Sequence, residues 1–190
     1  MFSQFTSAQI IVVAVAILFV VLIVVATILE KRKTKALRNR FGSEYDRAVL
    51  THGSRRKAEA KLAGLQTRVD AFKIHELGAI ERERFVAAWQ TLQSRFVDQP
   101  RAAVTEADNL IASILLARGY PRDTFEQSAA DLSVTYPRAM ESYRAAHAIA
   151  VRSSGPEAST EELRTAMIQS RAMFDELIQT QKPIETRTAA

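Results

Sequence analysis

The 190-residue chain contains no cysteine, which excludes a disulfide framework, a thiolate nucleophile, a thiolate-bound metal and a lipid anchor on cysteine. Glycine and proline are scarce, six and five residues, so the chain is neither collagen-like nor of low complexity. The glycines stand apart from one another, and neither GxxxxGKS/T nor GxGxxG occurs, so no phosphate-cradling loop is present. The most informative absence is of charge: residues 1–29 hold no Asp, Glu, Lys, Arg or His.

The charge that is present is unevenly placed. A formal net charge of +5 would suit a nucleic acid or a membrane surface as partner. All of it falls in one stretch, Glu30 to Arg40, where Lys31, Arg32, Lys33, Lys35, Arg38 and Arg40 stand against a single acid. From Phe41 onward there are 20 basic and 20 acidic residues. That neutral remainder lacks the basic footprint of a nucleic-acid binder, and its aromatics fall at helix-core spacing without interleaved basic residues, so no nucleic-acid partner is expected. Arg47, Arg55, Arg56, Lys57 and Lys61 are read as a solvated face.

Ile10 to Leu29 reads IIVVAVAILFVVLIVVATIL, with Thr27 as its one polar side chain, free to return its hydroxyl to a carbonyl one turn back. At ~1.5 Å per residue such a helix spans about 30 Å, the hydrocarbon thickness of a bilayer. A cleavable signal peptide fits poorly, because MFSQFTSAQ carries no basic side chain and the run is long and ends in ILEKRK. The expectation is a transmembrane helix over 10–29, a short extracytoplasmic segment over 1–9 and a basic juxtamembrane segment over 30–41. The positive-inside rule then places the following domain in the cytoplasm. The six basic residues are also the candidate contacts to anionic lipid, at ~1 kcal/mol each. With no ionisable group and no small-xxx-small pair, the span itself reads as a plain anchor.

Beyond Gly42 the periodicity is helical, with no alternating strand and no hairpin signal. The pattern predicts a short helix capped by Ser43 and Asp46, a helix over Ser54 to Lys73 with Ala58, Leu62, Leu65, Val69 and Phe72 inward, and a third over Ala79 to Val97 presenting Phe85, Trp89, Leu92 and Phe96. A fourth begins at Pro100 and stops at the RGYP segment Arg118 to Pro121, and Asp123 with Glu126 caps a short helix through Leu132. Pro137 to Val151 carries Met140, Tyr143, His147 and Ala150 inward. After the Ser153-Ser154-Gly155-Pro156 loop, Ser159 and Glu162 cap a last helix through Leu177, followed from Lys182 by a disordered tail. The fold class is therefore all-α: one N-terminal transmembrane helix, then a compact bundle of about six helices over 42–181.

The search for chemistry returns little. His75-Glu76 begins like a zinc-protease motif, but Ala79 stands where the second histidine belongs and Gly78 interrupts the helix. His147 reads as a hydrogen-bonded core histidine, and His52 belongs to no motif. Trp89 and Tyr120 are the aromatic candidates for exposed recognition, although the spacing of Trp89 favours the core. No catalytic, cofactor-binding or metal-ligating residue is assigned.

The stretches LRNRFGSEYDRAV (Leu37 to Val49), WQTLQSRFVDQPRAAVTEADNLI (Trp89 to Ile111), RGYP, FEQSAADLSV (Phe125 to Val134), YRAAHAIA (Tyr143 to Ala150) and STEELRTAM (Ser159 to Met167) resemble an uncharacterised family of bacterial proteins with one N-terminal membrane span. The resemblance covers most of the chain after the anchor. It implies a bacterial inner-membrane or plasma-membrane protein and brings no activity or site residues. The function expected is a membrane-anchored interaction or scaffold module with the lipid bilayer and a protein as partners and no enzymatic activity. The alternative is a small-molecule or lipid sensor that holds its ligand in the bundle near His147.

Overall fold

The computed structural model describes residues 7–153 and 158–179 and divides the chain into two compact units, Met1–Arg40 and Phe41–Ala190. Among the described residues all regular structure is α-helical: α1 (Ser7–Phe41), α2 (Ser43–His52), α3 (Arg55–Asp70), α4 (Ala79–Arg95), α5 (Pro100–Ala117), α6 (Phe125–Thr135), α7 (Pro137–Ser153) and α8 (Thr160–Ile178). The expected first few residues, the Ser154-Gly155-Pro156 part of the loop and the tail from Lys182 lie outside the described residues.

α1 is long and apolar enough to cross a membrane, and the side chains from Val13 to Lys33 are exposed. The Thr27 hydroxyl donates to the Val24 carbonyl at 2.8 Å, which satisfies the run's only polar side chain within the helix. A helix that is apolar all round and uncovered has no polar stripe to turn toward water, which is the pattern of a lipid-facing segment. The basic segment is not a separate element. It continues the same helix to Phe41, because its Lys, Arg, Ala and Leu residues favour helix and nothing breaks it before Gly42. Lys31, Arg32, Lys33, Lys35, Arg38 and Arg40 are all exposed along it.

Among the described residues the second unit holds seven helices, and the short α2 and α6 stand where the sequence predicts short helices. α5 packs against α4, α7 and α8, while α3 packs against α2 and α6. Val104, Ala107, Ile111 and Ile114 of α5 have no exposure at all. Trp89 is buried against Phe174 of α8, ring centroids 4.6 Å apart and nearly parallel, so its indole fills the core. Tyr120 is buried too. On α3, Ala58, Leu62, Leu65 and Val69 are buried as the spacing predicts, whereas Phe72 lies just past the helix end.

Two caps differ from expectation. Ser43 is the first residue of α2 and not its cap; Gly42 takes that place at φ 52, and the Ser43 hydroxyl donates to Glu141 at 3.1 Å. Thr124, not Asp123, caps α6 by accepting from the Gln127 N–H, because Asp123 is engaged by Arg68 at 2.6 Å. The Ser159–Glu162 capping box stands as expected.

The end of α5 shows why RGYP stops a helix. Tyr120 N–H donates to Leu115 O and Gly119 N–H to Leu116 O, a Schellman closure that needs the left-handed residue Gly119, φ 90. The loop after α3 is fastened there, His75 N–H donating to Arg118 O at 3.0 Å. Arg118 is not the solvent-facing last-turn cation its position suggests. It is buried, and one guanidinium nitrogen donates to the Tyr136 hydroxyl at 2.8 Å and to the Leu177 carbonyl at 3.0 Å, joining the ends of α5, α6 and α8.

Three glycines should separate conformational from steric effects. Gly119→Ala would meet the Lys73 carbonyl in a left-handed conformation and should cost well over 1 kcal/mol, whereas Gly53→Ala, also left-handed but in open space, should cost about 1 kcal/mol. Gly64→Ala, inside α3 with nothing near, should stabilise by about 0.5–1 kcal/mol. Urea unfolding followed by circular dichroism gives the order.

Burial, with the nearby Tyr120 and only partly offset by the charge and hydrogen bond of Arg118, pushes the Tyr136 hydroxyl up to about 12. The fold thus holds this proton more tightly than the unfolded chain, whose tyrosines ionise near 10. The contribution is complete below pH 10 and is lost as pH rises from 10 to 12. Tyr136→Phe should remove part of the loss of stability over that window, read as unfolding midpoint against pH.

Candidate functional site

α5 brings one acid into contact with α7. Asp108 lies one turn before Ala112, and Tyr143 and His147 are one turn apart on α7, so both reach it. The Tyr143 hydroxyl donates to Asp108 Oδ1 at 2.9 Å, and His147 Nδ1 lies 3.0 and 2.9 Å from the two carboxylate oxygens. Phe125, the first residue of α6, covers the imidazole: the rings are 3.5 Å apart at centroid and inclined by 8°. Tyr143 is buried, and burial followed by the adjacent Asp108 charge holds its phenol far above the usual tyrosine range.

The chemistry of this cluster follows from its donor inventory. A carboxylate only accepts, so Asp108 accepts hydrogen bonds from the Tyr143 hydroxyl and from His147 Nδ1–H, which in the neutral ring leaves the lone pair on Nε2. Among the described residues Nε2 has no hydrogen-bond partner. His147 therefore has a fixed plane, a fixed tautomer and one open nitrogen.

That nitrogen belongs to a residue lining a cleft of about 340 Å³ between α5, α6 and α7, walled by Ala112, Leu115, Leu116, Phe125 and Leu132. Ser113 and Ser128 supply hydroxyls to the same wall. Asp131, also on the wall, is almost fully buried, yet it is compensated: Arg68 Nε reaches both of its oxygens at 3.2 Å and Gln127 Nε2 donates at 3.0 Å. The same guanidinium holds Asp123. Among the described residues no group of three His, Asp or Glu is placed to hold a metal ion.

The expected positions fare differently. His147, read as a hydrogen-bonded core histidine, is hydrogen-bonded, to Asp108 of another helix, but it is half-buried and not sealed in the core. His52 and His75 are exposed. Asp108 and Asp131 were not singled out by the sequence, although both carry a usable signal: each is an acid at helical spacing within an apolar stripe, Asp108 between Val104 and Ile111, Asp131 beside Leu132 and Val134. Comparison with protein-family models, curated proteins and solved structures finds no match.

The cluster predicts an asymmetry. Asp108→Ala leaves the buried Tyr143 hydroxyl without an acceptor and should destabilise by about 1–3 kcal/mol, while Tyr143→Phe should cost less, and the double variant should recover part of the difference. A double-mutant cycle from denaturant unfolding measures the coupling.

Proposed function

We propose that the protein is a membrane-anchored helical interaction module working at the cytoplasmic face of a bacterial inner or plasma membrane. The observation that carries this reading is α1: a run exposed on every side continues as one helix into six exposed Lys and Arg residues, with no charged side chain before it. The basic collar is then the inner flank of a single span, and Lys31, Arg32, Lys33, Lys35, Arg38 and Arg40 add a salt-screened attraction to anionic lipid. The bacterial setting rests on the resemblance of its long motifs. The neutral domain from Phe41, with no motif for catalysis, is read as a binding unit that recruits a protein partner. A reporter active only in the cytoplasm, fused after Ala190, should be active; activity of a periplasmic reporter at that site instead would overturn the orientation. Crosslinking in membranes should retain a specific partner over a tagged control, and its absence counts against recruitment.

A second reading is supported by the cleft beside His147. An apolar hollow near the lower end of the size range for small-molecule sites, with one fixed and open polar atom, suits a sensor of a small ligand. A ligand of the native state must raise its thermal midpoint, so a thermal-shift screen of the full chain in nanodiscs tests this reading.

A further inference from the structure

The cleft beside His147 carries more acid than base. Asp108, Asp123 and Asp131 line it against Arg122, and Asp123 and Asp131 share the one guanidinium of Arg68, which stands outside the lining. Arg122 is exposed, so solvent and salt screen its charge. Asp108 differs from the other two acids. Among the described residues its donors are the Tyr143 hydroxyl and His147 Nδ1, and no guanidinium or ammonium reaches it. A phenol and a neutral imidazole satisfy its oxygens without cancelling its charge. The unmatched negative charge therefore lies at the end of the cleft where the imidazole stands. There the neutral ring, with Nδ1–H given to Asp108 and its plane held by Phe125, offers a lone pair at Nε2. The ends of α5 and α6 beside the cleft have opposite polarity, so the helix dipoles favour neither sign. A fixed acceptor backed by a carboxylate is complementary to a donor that bears positive charge, and the apolar wall beside it to a hydrocarbon body.

We infer that the cleft between α5, α6 and α7 binds a small apolar amine in its protonated form, its hydrocarbon body against Leu115, Leu116 and Leu132 and its ammonium donating to His147 Nε2 in the field of Asp108. The inference rests on the ligand-sensing reading and gives that ligand a chemical class.

The test uses benzylamine, with benzyl alcohol and benzoate as neutral and anionic counterparts of similar size, on the full chain in nanodiscs of phosphatidylcholine, whose zero net charge does not itself gather cations. Histidine ring nitrogens are labelled. Benzylamine should move the His147 Nε2 resonance saturably, benzyl alcohol should bind at least tenfold more weakly, and benzoate should leave the resonance in place. Asp108→Asn keeps an acceptor for Tyr143 but offers an amide donor to Nδ1, which turns the tautomer and removes the lone pair from Nε2 together with the charge. It should weaken benzylamine roughly tenfold, the scale of a lost hydrogen bond to a charged group, and change benzyl alcohol far less. If Asp108→Asn unfolds, Arg122→Glu decides alone, since that side chain is exposed and has no ion pair among the described residues. It should tighten benzylamine several-fold at low salt, with benzyl alcohol and the thermal midpoint unchanged; an equal effect on both ligands, or none on benzylamine, overturns the inference. Benzyl alcohol or benzoate binding as tightly as benzylamine overturns the amine and leaves the sensing reading standing, as does silence to all three with a hit in the thermal screen. Silence to all three with no such hit overturns both.

Discussion

Because four successive inward positions of α5 are sealed from solvent, this helix has to be covered on most sides, and α4, α7 and α8 supply the cover. That burial brings polar side chains with it. Asp108 comes inward on the edge of the same stripe, and Arg118 comes inward at its end. A charge taken out of water without a partner costs several kcal/mol, so each needs a partner from a helix distant in sequence. Tyr143 and His147 answer the first, and Tyr136 with the Leu177 carbonyl answers the second. The apolar stripe of α5 supplies the driving force, while the half-buried Asp108 and the buried Arg118 restrict the register in which α7 and α8 can lie. Arg144 does the same for α2, meeting both oxygens of the buried Glu44 at 3.0 and 3.1 Å.

The helices were legible because their signals are local. Gly53, Pro100, the Ser159–Glu162 pair and the RGYP stop act within one turn, and the stripes of α3, α4, α5 and α8 follow from the 3.6-residue period. The misplaced caps mark where a distant partner outbid a local one. Asp123 is well placed to cap α6, but an arginine on α3 claims its carboxylate, and Thr124 caps in its stead. Arg118 has the position of a last-turn cation, yet a carbonyl of α8 and a phenol at the end of α6 offer more than the α5 dipole does. The candidate site was half legible for the same reason. His147 is readable from the α7 stripe, but its pairing with Asp108, 39 positions earlier, requires the packing of α5 on α7.

Charge is partitioned as sharply as hydrophobicity. One exposed helical segment carries the whole excess, and the helical domain balances twenty cations with twenty anions. Many of those ions are tied to specific partners, as in Arg68 with Asp131 and Asp123 or Arg144 with Glu44. A surface in which charges are matched pairwise presents little net field at a distance. Selectivity in such a domain has to come from shape and from the few polar groups that the fold leaves open.

This is why the cleft beside His147 carries more weight than its size suggests. Interiors pack to near-crystal density, and unfilled space forfeits dispersion contacts with nothing in return. Here the space is kept open by small side chains, Ala112 and Ser113 on α5 and Ser128 and Ala129 on α6, at positions where larger ones would close it. Its polar end is over-determined, an imidazole fixed by a carboxylate, a carboxylate fixed by a buried phenol, and an aromatic ring laid across both the imidazole and the Tyr143 edge. The same three contacts that order the ring set the position of its open nitrogen before any ligand arrives, which lowers the entropy lost on binding.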